Sequence, residues 1–357
     1  MGIGDKLKQL MDTIGRPVRL MEVCGTHTVA IFRQGIRDLL PEGITLLSGP
    51  GCPVCVTAIK DVDAAIAISM QKGAILATFG DMMRVPGSRK SLFNAKAEGG
   101  DVRVVYSPLD ALKIAEDNRD KDVVFFATGF ETTSPSVAGT ILEAERKGVS
   151  NFYIYSVHKT VPPALKALLD SGEVRVDGFI LPGHVSTVIG SVPYGFITSD
   201  YGKPSVITGF DSGDILSGIQ MILEQLAAGR AEVEIQYKRV VRREGNPRAV
   251  TVLNKCFEPD DAQWRGIGTI PLSGLRLREE FRHRDITSVF ALDVPDAEDH
   301  ATACSCGDVL KGVKLPTECK LFGKVCTPDR PVGPCMVSSE GSCAAYFKYK
   351  TIGEIKI

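Results

Sequence analysis

The stretch VRLMEVCGTHT, residues 18 to 28, contains the unit from which most of this chain is built. A short apolar run that reads as a strand is followed by loop residues, and the next residues have a helical pattern. The unit recurs seven times, at ITLLS (44–48), AILATF (74–79), VRVVYS (102–107), VVFFAT (123–128), FYIYS (152–156), GFILP (178–182) and SVITGF (205–210). Alternating strands and helices predict an α/β fold with parallel sheets, whose ligand-binding loops follow the carboxyl ends of the strands.

Two halves of this region are similar to each other. Cys24-Gly25 aligns with Thr128-Gly129 at a shift of 104 residues, and Gly80-Asp81 aligns with Gly183-His184 at a shift of 103. The similarity predicts two α/β domains of the same kind, residues 21–117 and 118–235, facing each other across a central cleft. Residues 236–357 are irregular and then rich in cysteine. We predict a third domain there, to which an N-terminal helix within residues 1–20 is a candidate addition.

The overall composition excludes several classes of function. The chain has 42 Lys and Arg against 43 Asp and Glu, with no basic block, so a nucleic-acid surface is not indicated. Its apolar runs are too short to cross a bilayer, and the first residues lack an apolar signal segment. We therefore expect a cytoplasmic protein with no membrane partner. Ten cysteines in such a chain favour metal or redox chemistry over a disulfide framework.

The loops that follow the predicted strands carry the first set of candidate residues, namely Cys24, His27, Asp81, Glu131, His158 and His184. Cys24 admits two functional interpretations. His27 could activate it as a nucleophile, or its thiolate could bind a soft or low-spin metal with His27 in support. An inert cysteine at the end of a strand is the third possibility. The remaining four side chains are as well explained by helix capping or surface polarity as by function.

Cys52 and Cys55, in GPGCPVC (49–55), have the spacing of thioredoxin-like dithiols. They lie where a helix is predicted to begin, and a helix N-terminus stabilises a thiolate. We therefore predict a redox dithiol with a low-pKa thiolate at one of the two. Half of a metal site and simple core packing are the alternatives. Cys256, which is far from both groups of cysteines, is interpreted as a packed residue.

Six cysteines lie close together in the tail, at positions 304, 306, 319, 326, 335 and 343. They lack the paired CxxC motifs typical of zinc sites, so scattered thiolates holding an iron-sulfur cluster are favoured over zinc. Six is more than one cluster needs. Taking Cys304, Cys319, Cys326 and Cys343 as ligands leaves Cys306 and Cys335 as a dithiol beside the cluster, a pattern that resembles ferredoxin-thioredoxin reductase. The residues alone do not fix this choice of ligands.

Taken together, the motifs CGTHT, GPGCPVC, FGDMMRVPGS, TGFETTSP and LPGHVS and the tail CSCGDVLKG…CKLFGKVC…PVGPCMVSSEGSCAAYFKY resemble the HypD family of hydrogenase maturation proteins over essentially the whole chain. The resemblance implies a scaffold, formed with HypC, on which the Fe(CN)2CO unit of NiFe hydrogenases is assembled. Its product is passed to the hydrogenase large subunit. Cyanide would come from HypE, which obtains its carbamoyl precursor through HypF.

The resemblance also implies a role for each cysteine group. Cys24 would bind the Fe(CN)2CO iron, and Cys304, Cys319, Cys326 and Cys343 would hold a 4Fe-4S cluster. Cys306 and Cys335 would form the adjoining redox pair, with Cys52 and Cys55 as a relay toward the cleft. Two other functions stay open, an iron-sulfur disulfide reductase and a non-catalytic zinc-binding scaffold. The sequence does not decide between a turnover enzyme and an assembly platform.

Overall fold

The computed structural model describes residues 2–290 and 303–354, and it shows an α/β fold with two parallel sheets and one hairpin. The strands are β1 (Val18–Glu22), β2 (Ile44–Ser48), β3 (Ala74–Thr78), β4 (Val102–Val104), β5 (Asp122–Ala127), β6 (Phe152–Ser156), β7 (Gly178–Leu181), β8 (Ser205–Ile207), β9 (Val233–Ile235), β10 (Phe257–Trp264) and β11 (Gly268–Leu277). Sheet 1 has the order β2-β1-β7-β8-β9, sheet 2 has the order β4-β3-β5-β6, and β10 pairs with β11 in an antiparallel hairpin.

Helices follow nearly every strand of the parallel sheets. They are α1 (Ile3–Ile14), α2 (Gly25–Arg33), α3 (Ile36–Leu39), α4 (Pro53–Val56), α5 (Ile59–Ser69), α6 (Leu92–Ala97), α7 (Pro108–Asp117), α8 (Ser134–Lys147), α9 (Val161–Asp170), α10 (Gly183–Ile189), α11 (Gly195–Ser199), α12 (Ser212–Ala227), α13 (Pro247–Cys256), α14 (Ile286–Val289), α15 (Cys306–Leu310), α16 (Pro334–Val337) and α17 (Ser342–Glu354). Many of these helices begin at a residue that favours a helix start. At α7, for example, Ser107 Oγ accepts the N–H of Asp110, whose carboxylate accepts the N–H of Ser107. No helix in the described part of the chain is long and apolar enough to cross a membrane.

The two sheets do not follow the consecutive halves predicted from the sequence. The chain starts sheet 1 with β1 and β2, builds all of sheet 2 from β3 to β6, and then returns to sheet 1 for β7 to β9. Leu20 of β1 pairs with Gly178 of β7. At the centre of sheet 1, a strand that precedes sheet 2 in the chain therefore pairs with a strand that follows it. The predicted boundary between residues 117 and 118 therefore falls inside sheet 2.

The N-terminal helix belongs to sheet 1 and not to the cysteine-rich tail. Leu7 and Met11 of α1 are buried in one core with Leu20 of β1 and Ile219 of α12, which corrects the candidate assignment of this helix. Apolar side chains repeat along one face of α1, and sheet 1 offers the nearest apolar surface.

The β10–β11 hairpin bridges sheet 2 and the tail. Phe257 and Leu275 pack in the core of sheet 2, whereas Trp264, near the turn, lies in a second core together with tail cysteines such as Cys306 and Cys335. The region after residue 235 therefore does not stand apart as a unit of its own. The tail docks on sheet 1 as well, where Phe32 of α2 packs edge-to-face on Tyr346 of α17 at 4.6 Å between ring centroids.

Candidate metal and thiol site

A cleft opens where the loops after β1, β2, β5 and β7 meet the tail. Its volume is about 440 Å³. It is lined by Val23, Cys24, Thr26, Gly51, Pro53, Phe130, Thr132, Thr133, Pro182, His184, Val185, Thr187, Val188 and Glu340. The loops come from both sheets, as the predicted cleft required. A thiol, several hydroxyls, an imidazole and a carboxylate thus face one small volume.

Cys24 lies two residues after β1, at the N-cap of α2, and it is 8% exposed. The backbone N–H groups of Thr26 and His27 donate to its sulfur, and its own N–H donates to Glu22 Oε2 at 3.0 Å. Burial, with added repulsion from Glu340 and Glu22, raises the pKa of Cys24 to about 12 even though those backbone donors oppose the rise. Without a counter-charge the sulfur is therefore a thiol, and a bound cation is what would favour its thiolate.

His27 is fully buried beneath Cys24 and is held by the loop after β8. Its Nε2 lies 2.9 Å from both the Gly209 carbonyl oxygen and Thr208 Oγ1. The carbonyl can only accept, so Nε2 carries a hydrogen and Nδ1 is the free nitrogen. Nδ1 has no hydrogen-bond partner among the described residues. Burial lowers the pKa of His27 to about 4, so the imidazole is neutral near pH 7.

His184 and Glu340 flank Cys24 at the mouth of the cleft. His184 is exposed and stacks on Phe210, with 4.0 Å between ring centroids, as predicted for a cleft residue. Thr26 Oγ1 donates to Glu340 Oε1 at 2.7 Å. Sequence reasoning missed Glu340, which lies in the loop between the last two tail cysteines. Its only local signal is a single acidic residue in the run SSEGS.

Glu131 lies behind the cleft wall. It is 3% exposed, its Oε1 accepts the N–H of Val161, and its Oε2 has no partner among the described residues. Burial raises the pKa of Glu131 to about 7. The residue therefore supports the loop that carries Phe130 and Thr132 and does not itself line the cleft.

Asp81 and His158 lie elsewhere. Asp81 is exposed in the 3₁₀ turn after β3. His158 is buried beside a separate cavity of about 200 Å³ that is also lined by Asp61 and Lys159, and its Nδ1 lies 3.0 Å from Ser156 Oγ. Burial lowers the pKa of His158 to about 3. The prediction that all strand-end loops converge on one cleft is wrong for these two side chains.

Cys52 and Cys55 form a buried pair directly behind Cys24. Their sulfurs lie 2.6 Å apart, and the N–H of Cys55 donates to Cys52 Sγ at 3.3 Å. This geometry allows a disulfide to form with little backbone movement. Burial raises the pKa of Cys55 well above its usual range, so the expected low-pKa thiolate is wrong for this cysteine. The cause is its complete burial on a helix of only four residues.

The tail brings its cysteines into contact with that pair. Cys335 is within hydrogen-bonding contact of Cys55 on one side and Cys343 on the other. Cys304 is in similar contact with Cys306. The two contacts within the tail, Cys335–Cys343 and Cys304–Cys306, each join one predicted cluster ligand to one member of the predicted redox pair.

Among the four predicted ligands, Cys304, Cys326 and Cys343 act electrostatically on one another, whereas Cys319 acts on Cys343. Burial raises the pKa of Cys326, and the thiols of Cys304 and Cys343 add to the rise, while Cys319 acts on Cys343. Cys304, Cys326 and Cys343 pack in one largely apolar core, and Cys319 is half-buried. Four cysteine thiols are the donor set of a 4Fe-4S cluster, so these residue types fit that group. Among the side chains of residues 2–290 and 303–349, no group of three or more His, Cys, Asp or Glu is arranged to hold a single metal ion.

Close approaches at two glycines connect the dithiol segment to Cys24 and the Cys24 loop to the tail loop. A Cβ added at Gly51 would lie 2.2 Å from the backbone nitrogen of Cys24, and a Cβ added at Gly25 would lie 2.6 Å from Glu340 Cβ. Only glycine allows these contacts. In addition, Cys52 Sγ lies 3.4 Å from Ser338 Oγ, which accepts the N–H of Glu340. The dithiol, the tail loop and the cleft are therefore in direct contact.

Comparisons with known proteins agree with one another. The HypD family model, described as the hydrogenase formation hypA family, matches residues 2–350. The hydrogenase maturation factor HypD of Rhodobacter capsulatus is 48% identical over 356 residues, covering 98% of this chain and 94% of that protein. The factor of the same name from Azotobacter vinelandii is 50% identical over 94% of this chain and 90% of its own length. That of Escherichia coli is 44% identical over 97% of this chain and 93% of its own length.

Proposed function

The chain belongs to the HypD family of hydrogenase maturation factors, and on that premise we propose that it is a scaffold for assembly of the Fe(CN)2CO unit of a NiFe hydrogenase. The observation that carries the proposal is Cys24. It is the one thiol lining the described part of the cleft, and it lies between hydroxyls, an imidazole and a carboxylate. We further propose that the protein works in the cytoplasm, with HypC as its scaffold partner and HypE, supplied through HypF, as its cyanide donor.

The proposed iron ligand is the sulfur of Cys24. Low-spin iron that carries cyanide and carbon monoxide is a soft partner, for which thiolate is a suitable ligand. The incoming cation would favour the thiolate that burial disfavours, and the N–H groups of Thr26 and His27 would hold the sulfur in place. A cysteine of HypC would supply the second thiolate. The cleft volume leaves room for the cargo beside Cys24.

The proposed role of Cys52 and Cys55 is reduction of the cyanide donor. If cyanide arrives as a thiocyanate on a partner thiol, the dithiol loses two electrons and two protons and becomes a disulfide. The S–C bond of the donor breaks, which yields the partner thiol and hydrogen cyanide, so atoms and electrons balance. The 2.6 Å separation of the two sulfurs supports this step, because the disulfide can close without rearrangement.

The proposed route for re-reduction runs through the tail. Cys335 lies against Cys55, so its thiolate can attack that sulfur and release Cys52. Cys306 would then complete the tail disulfide. A 4Fe-4S cluster, when bound by Cys304, Cys319, Cys326 and Cys343, would supply electrons singly from an external low-potential donor.

An infrared spectrum tests the scaffold proposal. The protein is purified anaerobically after co-expression with HypC, HypE and HypF, beside Cys24→Ala and the control Cys256→Ala. Cys256 is a buried cysteine remote from the cleft, as predicted, and its sulfur lies 3.5 Å from the Ala138 carbonyl oxygen. We expect cyanide and carbonyl bands in the wild type and in Cys256→Ala but not in Cys24→Ala. If every sample lacked bands while keeping its iron and sulfide, the scaffold would be contradicted and the disulfide reductase, which the same dithiol contacts support, would take its place.

A further inference from the structure

The turn of the β10–β11 hairpin places one arginine beside the tail cysteines. Arg265 is 3% exposed, between Trp264 at the end of β10 and Gly266. Its backbone N–H donates to the carbonyl oxygen of Val56, the last residue of the dithiol helix α4, at 2.9 Å. Its Nη1 donates to the Pro86 carbonyl oxygen at 2.8 Å. The guanidinium is thus fixed between the dithiol helix, the loop after β3 and the tail.

Two glycines bring this turn against the start of the tail. A Cβ at Gly266 would lie 2.7 Å from Gly307 Cα and 3.8 Å from Cys306 Sγ. A Cβ at Gly307 would lie 2.1 Å from the Gly266 carbonyl oxygen. The hairpin turn and the Cys304–Cys306 segment are therefore in backbone contact. Contact with Cys306 and burial raise the pKa of Cys304, and the charge of Arg265 opposes that rise.

Arg265 has no acidic partner in the part of the chain that the structure describes. No Asp or Glu side chain of residues 2–290 and 303–349 forms an ion pair with it. Arg284 provides the contrast, because it is similarly buried, at 4%, but is paired with Glu145. Burial of an unpaired cation is costly. An anion bound close to the tail would therefore stabilise the charge of Arg265.

A 4Fe-4S cluster held by four thiolates is such an anion, and it becomes more negative when it is reduced. We propose that Arg265 is the counter-charge of this cluster and raises its reduction potential. Cationic charge close to a cluster stabilises the reduced state more than the oxidised state. The inference rests on the proposed cluster. It adds a residue that touches neither the cleft nor the dithiol sulfurs and that sets the driving force for electron delivery.

The test is a redox titration of the cluster, followed by electron paramagnetic resonance, in the full-length protein. Arg265→Gln removes the charge but keeps a hydrogen-bond donor, whereas Arg265→Lys keeps the charge. Arg276→Gln is the control, because it removes a charge from the same hairpin at a side chain that is 55% exposed. We expect Arg265→Gln to make reduction about tenfold less favourable, which is about 59 mV for one electron, and the other two variants to titrate close to wild type.

The other possible outcomes of the redox titration also decide for or against the proposal. An unchanged potential in Arg265→Gln, or equal shifts in Arg265→Gln and Arg265→Lys, would overturn the proposal, since the residue would then act through packing alone. If Arg265→Gln failed to hold the cluster, retention by Arg265→Lys would support a charge effect, and loss in both would contradict it. A wild-type protein without iron and sulfide would overturn the proposed cluster itself, and the inference with it.

Discussion

The cleft around Cys24 and the thiol-rich tail hold cysteines in opposite ways. Cys24 is fixed by the main chain, through the N–H groups of α2 and the close approach of Gly51. The tail cysteines lie on loops, on the short helices α15 and α16 and at the start of α17, and their neighbours include one another. The difference teaches that main-chain contacts shape the cleft, whereas the arrangement of the tail cysteines would depend more on the proposed cluster.

The largest expected effect separates the two regions by metal content. Cys343→Ala removes a proposed cluster ligand and should abolish most of the iron and acid-labile sulfide, because a cluster needs four ligands. Cys24→Ala should leave the cluster at its wild-type level. Both are measured by metal analysis and by the visible absorption of anaerobically purified protein. Loss of the chromophore in Cys24→Ala would show that the two regions are not independent sites.

A second effect tests whether the main chain shapes the cleft. Gly51→Ala should lower the free energy of unfolding by at least about 3 kcal/mol, because the new methyl group would meet the backbone of Cys24 at 2.2 to 2.5 Å. The matched control is Gly139→Ala in α8, where nothing lies within 4 Å and alanine should stabilise the helix by about 0.5–1 kcal/mol. Denaturant unfolding measures both. Equal stability of the two variants would contradict the close contact.

A third and smaller effect is a pH dependence of the free energy of unfolding, which tests whether Glu131 is buried behind the cleft wall. Burial raises the pKa of Glu131 from 4.5 to about 7, so the folded state binds more protons than the unfolded state between these values. The stability due to this carboxyl is complete below about pH 4.5 and is lost as the pH rises through 7. Relative to wild type, Glu131→Gln should therefore gain about 3 kcal/mol between pH 4.5 and pH 8.

Denaturant unfolding at several pH values measures this gain. Glu279→Gln, at a side chain that is 83% exposed, controls for the loss of one carboxylate from the surface. A constant difference between Glu131→Gln and wild type across this range would mean that Glu131 is not held neutral behind the cleft wall.

The strands were predictable because each is a short apolar run that ends in glycine or a polar residue. ITLLS and FYIYS match β2 and β6 residue for residue, and the other strands of the two sheets differ at their ends. β9 and the hairpin were not predicted. In β10, Pro259 and three acidic residues, Glu258, Asp260 and Asp261, conceal the strand pattern. The order of strands was also beyond reach, because local patterns carry no information on which strands pair.

The site was predictable where chemistry is concentrated in a short motif. Cys24, the Cys52–Cys55 pair and His184 were found in this way, and so was the presence of Glu131 near the cleft. Glu340 and Arg265 were missed because their roles depend on contacts between distant segments. His158 and Asp81 were included because a loop after a strand was taken to face the cleft, whereas strands of one sheet can end beside different cavities.

The interrupted course of sheet 1 sets the order in which the protein can form during synthesis. Sheet 2 is continuous in the chain from β3 to β6, so a ribosome-bound nascent chain could complete it early. Sheet 1 must wait, since β1 lies between β2 and β7 and β7 is made only after the whole of sheet 2 has emerged. Until then the Cys24 loop has no opposite wall. If Cys24 binds iron as proposed, the order of the strands therefore disfavours premature binding by a half-built cleft.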